Sequence, residues 1–243
     1  MNLVIDVGNT LVKLAVFQEG KLVEIERFLI DFFSEEILKK IDKYPEIEHI
    51  ILSSVVQVPD EWIKLLQKKG RLVVLSENTL LPFKNNYASP DTLGKDRLAL
   101  VAGAKVLFPN RNVLVIDAGS CITYDFLQEN SYEGGAISPG LQMRFKAMHN
   151  FTAKLPLITQ AEKKKSSLIG KTTEENMIIG VLTGIQLEID GFIEAYKSQY
   201  EDLTVILSGG DSELLSRSLK NGIFAPENFL LRGLNSILEF NKH

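Results

Sequence analysis

The hexapeptide Leu3-Val4-Ile5-Asp6-Val7-Gly8 recurs as Leu114-Val115-Ile116-Asp117-Ala118-Gly119, with five of six residues matching at a constant offset of 111. Each copy is a short apolar run that stops on a carboxylate and a glycine. That pattern reads as a buried strand entering a tight turn. Two more strand-like runs follow each copy, over 11–17 and 21–28 in the first case and 121–127 and 132–137 in the second. Glu19-Gly20 and Glu129-Asn130 supply the turns. A helix comes next in both halves. Chance explains one short apolar motif ending in Asp-x-Gly, but a shared strand-turn-strand-strand-helix order points to duplication. The expected fold is therefore α/β, with two similar domains of mixed sheets flanked by helices. They are bounded at 1–108 and 109–243 and face a central cleft that grips one ligand from two sides.

The remaining pattern fills in around this frame. Helices are expected at 34–44, capped by Ser34 with Glu35 and Glu36 in the first turn, and at 60–68 and 95–108. Strands are expected at 49–53 and 72–75, with a loop from 80 to 91. In the second half Pro139 suits the first turn of a helix reaching 151. A polar loop covers 160–167, a long helix 174–200, a strand 203–207, and helices 211–220 and 230–240.

Composition removes several function classes. Over 243 residues the charge is −4, with 45% hydrophobic and 24% charged residues. These values suit a globular chain and give no basic surface for nucleic acid. The run Lys163-Lys164-Lys165 sits in a polar stretch and reads as a solvated loop. The single cysteine, Cys121, permits no intrachain disulfide and is read as a small buried hydrophobe. The three histidines, His49, His149 and His243, are too scattered for a metal site. No membrane-length apolar run and no room for a signal peptide are apparent, so a cytoplasmic location without membrane or nucleic-acid partners is expected.

The chemistry concentrates at the repeated turns. In Asp6-Val7-Gly8-Asn9-Thr10-Leu11-Val12-Lys13 a carboxylate ends a strand and a glycine lets the backbone approach a ligand. Backbone N–H groups around Asn9 and Thr10 can line an anion site, and Lys13 returns a positive charge to the turn. Asp6 would repel phosphate directly; a bridging Mg²⁺ resolves the conflict. A plain hairpin uses the same residue types. The second copy, Asp117-Ala118-Gly119-Ser120, makes that reading harder to sustain. A third glycine turn, Ser208-Gly209-Gly210-Asp211, follows a late strand and can lie flat against a nucleotide, with Asp211 capping the next helix.

Paired Asp-x-Gly hairpins with a late Gly-Gly turn resemble the phosphate and adenosine loops of the superfamily of acetate and sugar kinases and actin. The implied fold is a duplicated actin-like ATPase (ribonuclease H-like) architecture. Within it the chain resembles type III pantothenate kinases over nearly its whole length. The carrying motifs are Asp6 to Lys13, Tyr87, Gly94-Lys95-Asp96-Arg97, Gly134-Gly135-Ala136-Ile137-Ser138-Pro139-Gly140, Thr152 to Pro156, and Gly170-Lys171-Thr172-Thr173. Ser120 departs from the threonine usual in that family but keeps the hydroxyl. A P-loop reading of Gly170-Lys171-Thr172 fails, because Lys165 stands where a glycine is required.

The resemblance implies ATP-dependent phosphorylation of pantothenate, the first step of coenzyme A biosynthesis. It makes Asp96 the general base and assigns Tyr87, Gly94, Lys95, Asp96, Arg97 and Thr173 to substrate. ATP and its phosphates fall to residues 6–13, Gly119, Ser120, Gly209 and Gly210. Mg²⁺ is implied at Asp6 through phosphate or water, and a monovalent cation, K⁺ or NH₄⁺, at Asp117. A homodimer is also implied. For Thr173 the residues alone equally allow a helix N-cap. A transcription accessory factor of the same family, or another small-molecule kinase of the same fold, remain the competing readings.

Overall fold

The computed structural model describes residues 1–161, 168–216 and 223–242. Lys163 to Lys165 and the end of the helix expected at 211–220 lie outside the described residues.

The chain forms two compact units. One comprises Met1–Pro109, Asn130–Tyr132 and Pro226–His243; the other comprises Asn110–Glu129 and Glu133–Ala225. The first unit opens with a meander of β1 (Asn2–Val7), β2 (Leu11–Gln18) and β3 (Lys21–Leu29). Then come α1 (Phe33–Lys43), β4 (His49–Ser54), α2 (Asp60–Gln67) and β5 (Arg71–Val74). The sheet order is β3-β2-β1-β4-β5, with β4 and β5 parallel to β1. Period-two alternation sends Leu3, Ile5, Val7, Val12, Leu14, Ile50 and Leu52 into a core with Phe33, Ile37 and Ile41 of α1. Ser34 does not cap α1: Phe32 holds the N-cap position and no side chain caps the helix.

The segment expected to be loop contains β6 (Lys84–Asn85), which pairs in parallel with Ser131 and Tyr132. Next comes α3 (Lys95–Leu107), buried from Arg97 through Ala104.

The meander is repeated by β7 (Val113–Ala118), β8 (Cys121–Gln128) and β9 (Ser131–Pro139), all in the second unit except the first two residues of β9. Then come α4 (Leu141–Asn150), α5 (Thr173–Lys197), β10 (Thr204–Ser208), α6 (Ser212–Ser216) and β11 (Ile223–Phe224). Five strands of the six-stranded second sheet, in the order β9-β8-β7-β10-β11, repeat the order of the first sheet, and β6 adds a sixth strand at the β9 edge. Pro139 ends β9 rather than starting a helix, and Gly140 takes the N-cap of α4. Cys121 is half-buried rather than fully enclosed.

Helix α5 is long and apolar enough to cross a membrane by length and composition, contrary to the expectation of no such run. Its residues Met177, Val181, Ile185 and Ile189 recur at intervals of four and form one stripe buried in the second unit's core. It is thus placed as a core helix.

The last helix, α7 (Phe229–Phe240), falls with the first unit, whereas the boundary at 108/109 grouped it with the second half. Packing explains the return. Gly103 on α3 faces the Phe229 ring, and Gly233 on α7 lies against the Ala99 carbonyl, so the two backbones meet closely. Asn2 donates to Asn235 Oδ1 at 2.7 Å and to Glu239 Oε1 at 2.6 Å, tying α7 to β1.

Candidate active site

Strand register builds the first cluster. Asp6 stands opposite Lys13 on β2 and opposite Ser53 on β4, and Lys13 stands opposite Arg27 on β3. Registered partners project to the same face of a sheet, so Arg27, Lys13, Asp6 and Ser53 form one row across four strands. Lys13 Nζ lies 3.7 Å from Asp6 Oδ2. Burial pushes the Asp6 carboxyl above the usual carboxylate range. Lys13 and the Ser53 hydroxyl pull it down, while the charge of nearby Asp96 adds to the rise. At the tip, Gly8 N donates to the Leu11 carbonyl at 3.0 Å. Asn9, Thr10 and Leu11 are exposed. Val7 and Val12 bury their side chains in the core, so only their backbone can face a ligand.

The start of α3 provides the second cluster. Gly94 is the N-cap, and a Cβ there would fall 2.4 Å from Asp96 Oδ1, so any side chain would displace that carboxylate. Asp96 Oδ1 accepts from the Arg97 backbone N–H at 2.9 Å. Lys95 is partly buried. Arg97 is 5% exposed, and its guanidinium lies 5.8 Å from the Tyr87 ring centroid. Tyr87 in turn stacks on Tyr132 at 6.0 Å, and its N–H donates to Asn85 Oδ1 at 3.0 Å. The short β6 pairing thereby fixes Tyr87 over Arg97.

The second unit gathers the other glycine motifs. Asp117 stands opposite Thr123 on β8, so this hairpin is one residue shorter than the first and carries a hydroxyl where the first has Lys13. Gly119 N donates to the Cys121 carbonyl at 3.0 Å, and Ser120 is exposed at the tip. Gly209 has φ +99°, and a Cβ there would meet the Ala118 carbonyl at 2.2 Å. Only glycine fits. Gly210 has open space where a side chain would stand. Asp211 accepts from Leu215 N through its backbone carbonyl, and its N–H donates to the Ala118 carbonyl at 3.0 Å. Gly119, Ser120, Gly209 and Gly210 are thus brought to one end of the sheet.

Thr173 stands at the first turn of α5, exposed, and belongs to neither hairpin. The cap is Thr172: its hydroxyl accepts from Glu175 N at 3.2 Å while Glu175 Oε2 accepts from Thr172 N at 3.2 Å. The N-cap reading of Thr173 is therefore corrected by one residue. Sequence reasoning also missed Ser53 and Tyr132. Ser53 could have been found only by aligning β4 with β1; Tyr132 reads as an ordinary core aromatic.

Among the described residues no group of three or more His, Cys, Asp or Glu side chains is arranged to hold a metal ion. The first unit offers an exposed hairpin tip, a partly compensated carboxylate at Asp6 and, at the α3 N-terminus, the Asp96 carboxylate next to the buried Arg97; the second unit offers the glycine turns at Gly119 and Gly209.

Comparison with solved structures places the fold. A glucokinase from an Antarctic psychrotroph aligns with TM-score 0.58 at 14% identity, covering 99% of each chain. A Campylobacter jejuni protein assigned to the Baf family of transcriptional activators aligns with TM-score 0.65 at 24% identity, covering 98% of each. At these identities the likeness shows the fold alone, which is the actin-like ATPase architecture with two mixed sheets flanked by helices. The family model for type III pantothenate kinase matches residues 2–195. A type III pantothenate kinase of Christiangramia forsetii is 54% identical over 243 residues, covering 100% of this chain and 99% of its own. One from Flavobacterium psychrophilum is 44% identical over 243 residues, covering both chains fully. The chain belongs to the type III pantothenate kinase family.

Proposed function

We propose that this enzyme transfers the γ-phosphoryl group of ATP to the primary hydroxyl of pantothenate, giving 4'-phosphopantothenate and ADP at the first step of coenzyme A biosynthesis. The observation that carries the reading is the α3 N-terminus. There Asp96 stands beside the buried Arg97 and within electrostatic reach of Asp6 on β1.

The roles follow from the chemistry. Asp96 accepts the hydroxyl proton as the oxygen attacks the γ-phosphorus and the bond to the ADP oxygen breaks; a positioned base of this kind contributes about 10²–10⁴-fold. Arg97, steadied by Tyr87, pairs with the pantothenate carboxylate, and Gly94, Lys95 and Thr173 complete the substrate contacts. Backbone of residues 6–13, with Lys13, and of Gly119 and Ser120 holds phosphates, and Gly209-Gly210 lies along the adenosine. Asp6 fits Mg²⁺, which takes one or two carboxylates and fills its shell with water and phosphate oxygens. Such an ion would neutralise charge on the phosphates. Asp117, at the end of β7, is assigned the monovalent cation, K⁺ or NH₄⁺. A homodimer working in the cytoplasm completes the reading.

The test is a coupled assay with ATP, Mg²⁺, K⁺ and pantothenate on the wild type and Asp96→Asn. Pantothenate-dependent ADP release is expected, falling at least 100-fold in the variant and falling also when Na⁺ replaces K⁺. Nucleotide binding without pantothenate-dependent turnover would sink the substrate assignment.

A further inference from the structure

The second unit contains a polar cluster that none of these roles uses. Glu188 projects from α5, and its carboxylate accepts from three elements at once. The Tyr124 hydroxyl of β8 donates at 2.9 Å, the Ser138 hydroxyl of β9 at 2.5 Å, and Arg144 Nη2 of α4 at 2.6 Å. Burial by itself pushes Glu188 up; the hydrogen bonds from Ser138, Arg144 and Tyr124 overcome this and leave it below the usual range. Tyr124 is pushed up, by burial and then by Glu188, so it remains a donor at neutral pH.

Two of these donors belong to a strap. Arg144 uses its second donor, Nε, on the Pro139 carbonyl at 2.8 Å, so Ser138 and Pro139 are both tied to the same carboxylate. The next residue, Gly140, donates its N–H to the Ser120 carbonyl at 3.2 Å. A Cβ on Gly140 would fall 2.1 Å from the Gly119 carbonyl and 2.5 Å from that of Ser120. The strap therefore rests directly on the Gly119-Ser120 turn. A simple anchor between α5 and the sheet would need Tyr124 alone. It would not need a guanidinium that fixes the backbone carbonyl just before Gly140, the residue that rests on the turn.

We propose that Glu188 is a positioning residue for the nucleotide phosphates. Through Ser138 and Arg144 it fixes the Pro139-Gly140 strap, and the strap holds the Gly119-Ser120 turn in the shape that receives phosphate. The inference rests on the reading of that turn as a phosphate site.

The experiment measures ADP affinity by titration calorimetry with Mg²⁺ on the full-length protein, beside thermal melting and the KM for pantothenate. Glu188→Gln keeps the shape and removes the charge. Arg144→Lys keeps the charge but lacks the fork that serves Glu188 and Pro139 together. Both are expected to weaken ADP binding about 10–100-fold, the scale on which supporting residues act, with the pantothenate KM within about twofold of wild type. Tyr124→Phe is expected to lower the melting temperature and leave ADP affinity unchanged. Ser138→Ala removes one hydroxyl and carries the same expectation as Glu188→Gln should that variant fail to fold. Gly119→Val separates the two readings. If it abolishes ADP binding while Glu188→Gln and Arg144→Lys keep wild-type affinity, the positioning role is wrong. If Gly119→Val leaves ADP binding intact, the turn is not a phosphate site, and the proposal falls with that reading.

Discussion

Lys13 stands directly across the β1–β2 ladder from Asp6, its Nζ 3.7 Å from Oδ2, close to the three-residue turn that joins the two strands. The Lys13 side chain is 42% exposed while that of Asp6 is 12% exposed, so the lysine reaches outward from a carboxylate that stays in. Lys13→Met is expected to lower kcat/KM for ATP by about 10²–10³-fold, the scale of losing one preorganised charge from a developing transition state. Steady-state kinetics with ATP varied at saturating pantothenate read this directly. A change below about threefold would mean that Lys13 serves only to compensate Asp6.

Arg97 leads to a prediction about the other substrate. It is almost fully buried and capped by the Tyr87 ring, so it has few alternative positions. A hydrogen bond to a charged group is worth about 1.5–3 kcal/mol, or roughly 10–100-fold. Arg97→Lys should therefore raise the pantothenate KM by about that factor while the ATP KM stays near wild type. Tyr87→Leu should do the same more weakly, since it removes the ring that steadies the guanidinium. An equal rise in both KM values would place Arg97 in the fold rather than at the substrate.

The legible parts of this protein were those whose partners are close in sequence. Asp6 and Lys13 are seven residues apart on one hairpin, so spacing alone suggests their pairing; Gly94 to Arg97 lie within one helical turn, but their assignment to a site came from the family resemblance, since the same residues also suit an ordinary helix start. The repeated Asp-x-Gly strands announced two similar sheets, and the strand orders agree. What stayed hidden depends on long-range contact. Ser53 joins Asp6 only through the parallel β1–β4 register. Glu188 meets donors 64, 50 and 44 residues away. Gly140, which the sequence marks only as the end of a family motif, is small because another turn's carbonyls lie against it. The return of α7 to the first unit is a matter of backbone contact between glycine-bearing helices, which no local pattern encodes.

That helix contact can be tested by adding a single methyl group. A Cβ at Gly233 would fall 1.7 Å from the Ala99 carbonyl, a backbone atom that cannot move without shifting α3. Gly233→Ala is expected to cost about 3 kcal/mol or more, as overpacking does in a tight core. In a chain of this size that is a melting temperature lower by roughly 6–12 °C. Gly191→Ala, inside α5 with nothing within 4 Å of the new Cβ, is the contrasting change. There the better helix propensity of alanine should raise stability by about 0.5–1 kcal/mol. Differential scanning calorimetry of the two variants should show shifts of opposite sign.

The acid limb of stability has an identifiable contributor in the first unit. Glu24 on β3 accepts from the Tyr44 hydroxyl at 2.7 Å and faces Lys43 at 2.9 Å and Lys40 at 3.0 Å. Tyr44 first, then Lys43 and Lys40, hold its carboxyl at about 2, against an ordinary 4.5. A depressed carboxylate stabilises the fold above its unfolded value, and that contribution is lost as pH falls from about 4.5 towards about 2. Glu24→Gln leaves Lys40, 5% exposed, with Glu26 as its remaining anion at 2.7 Å. At pH 7 the variant should therefore melt lower than wild type, on the order of 2–4 °C. As pH is lowered below about 4.5 the two melting temperatures should converge, because protonation removes from the wild type the same charge that the substitution removes. Melting curves from pH 7 to pH 2 decide the matter. A gap that stays constant across the range would assign the loss to packing rather than to the Glu24 charge.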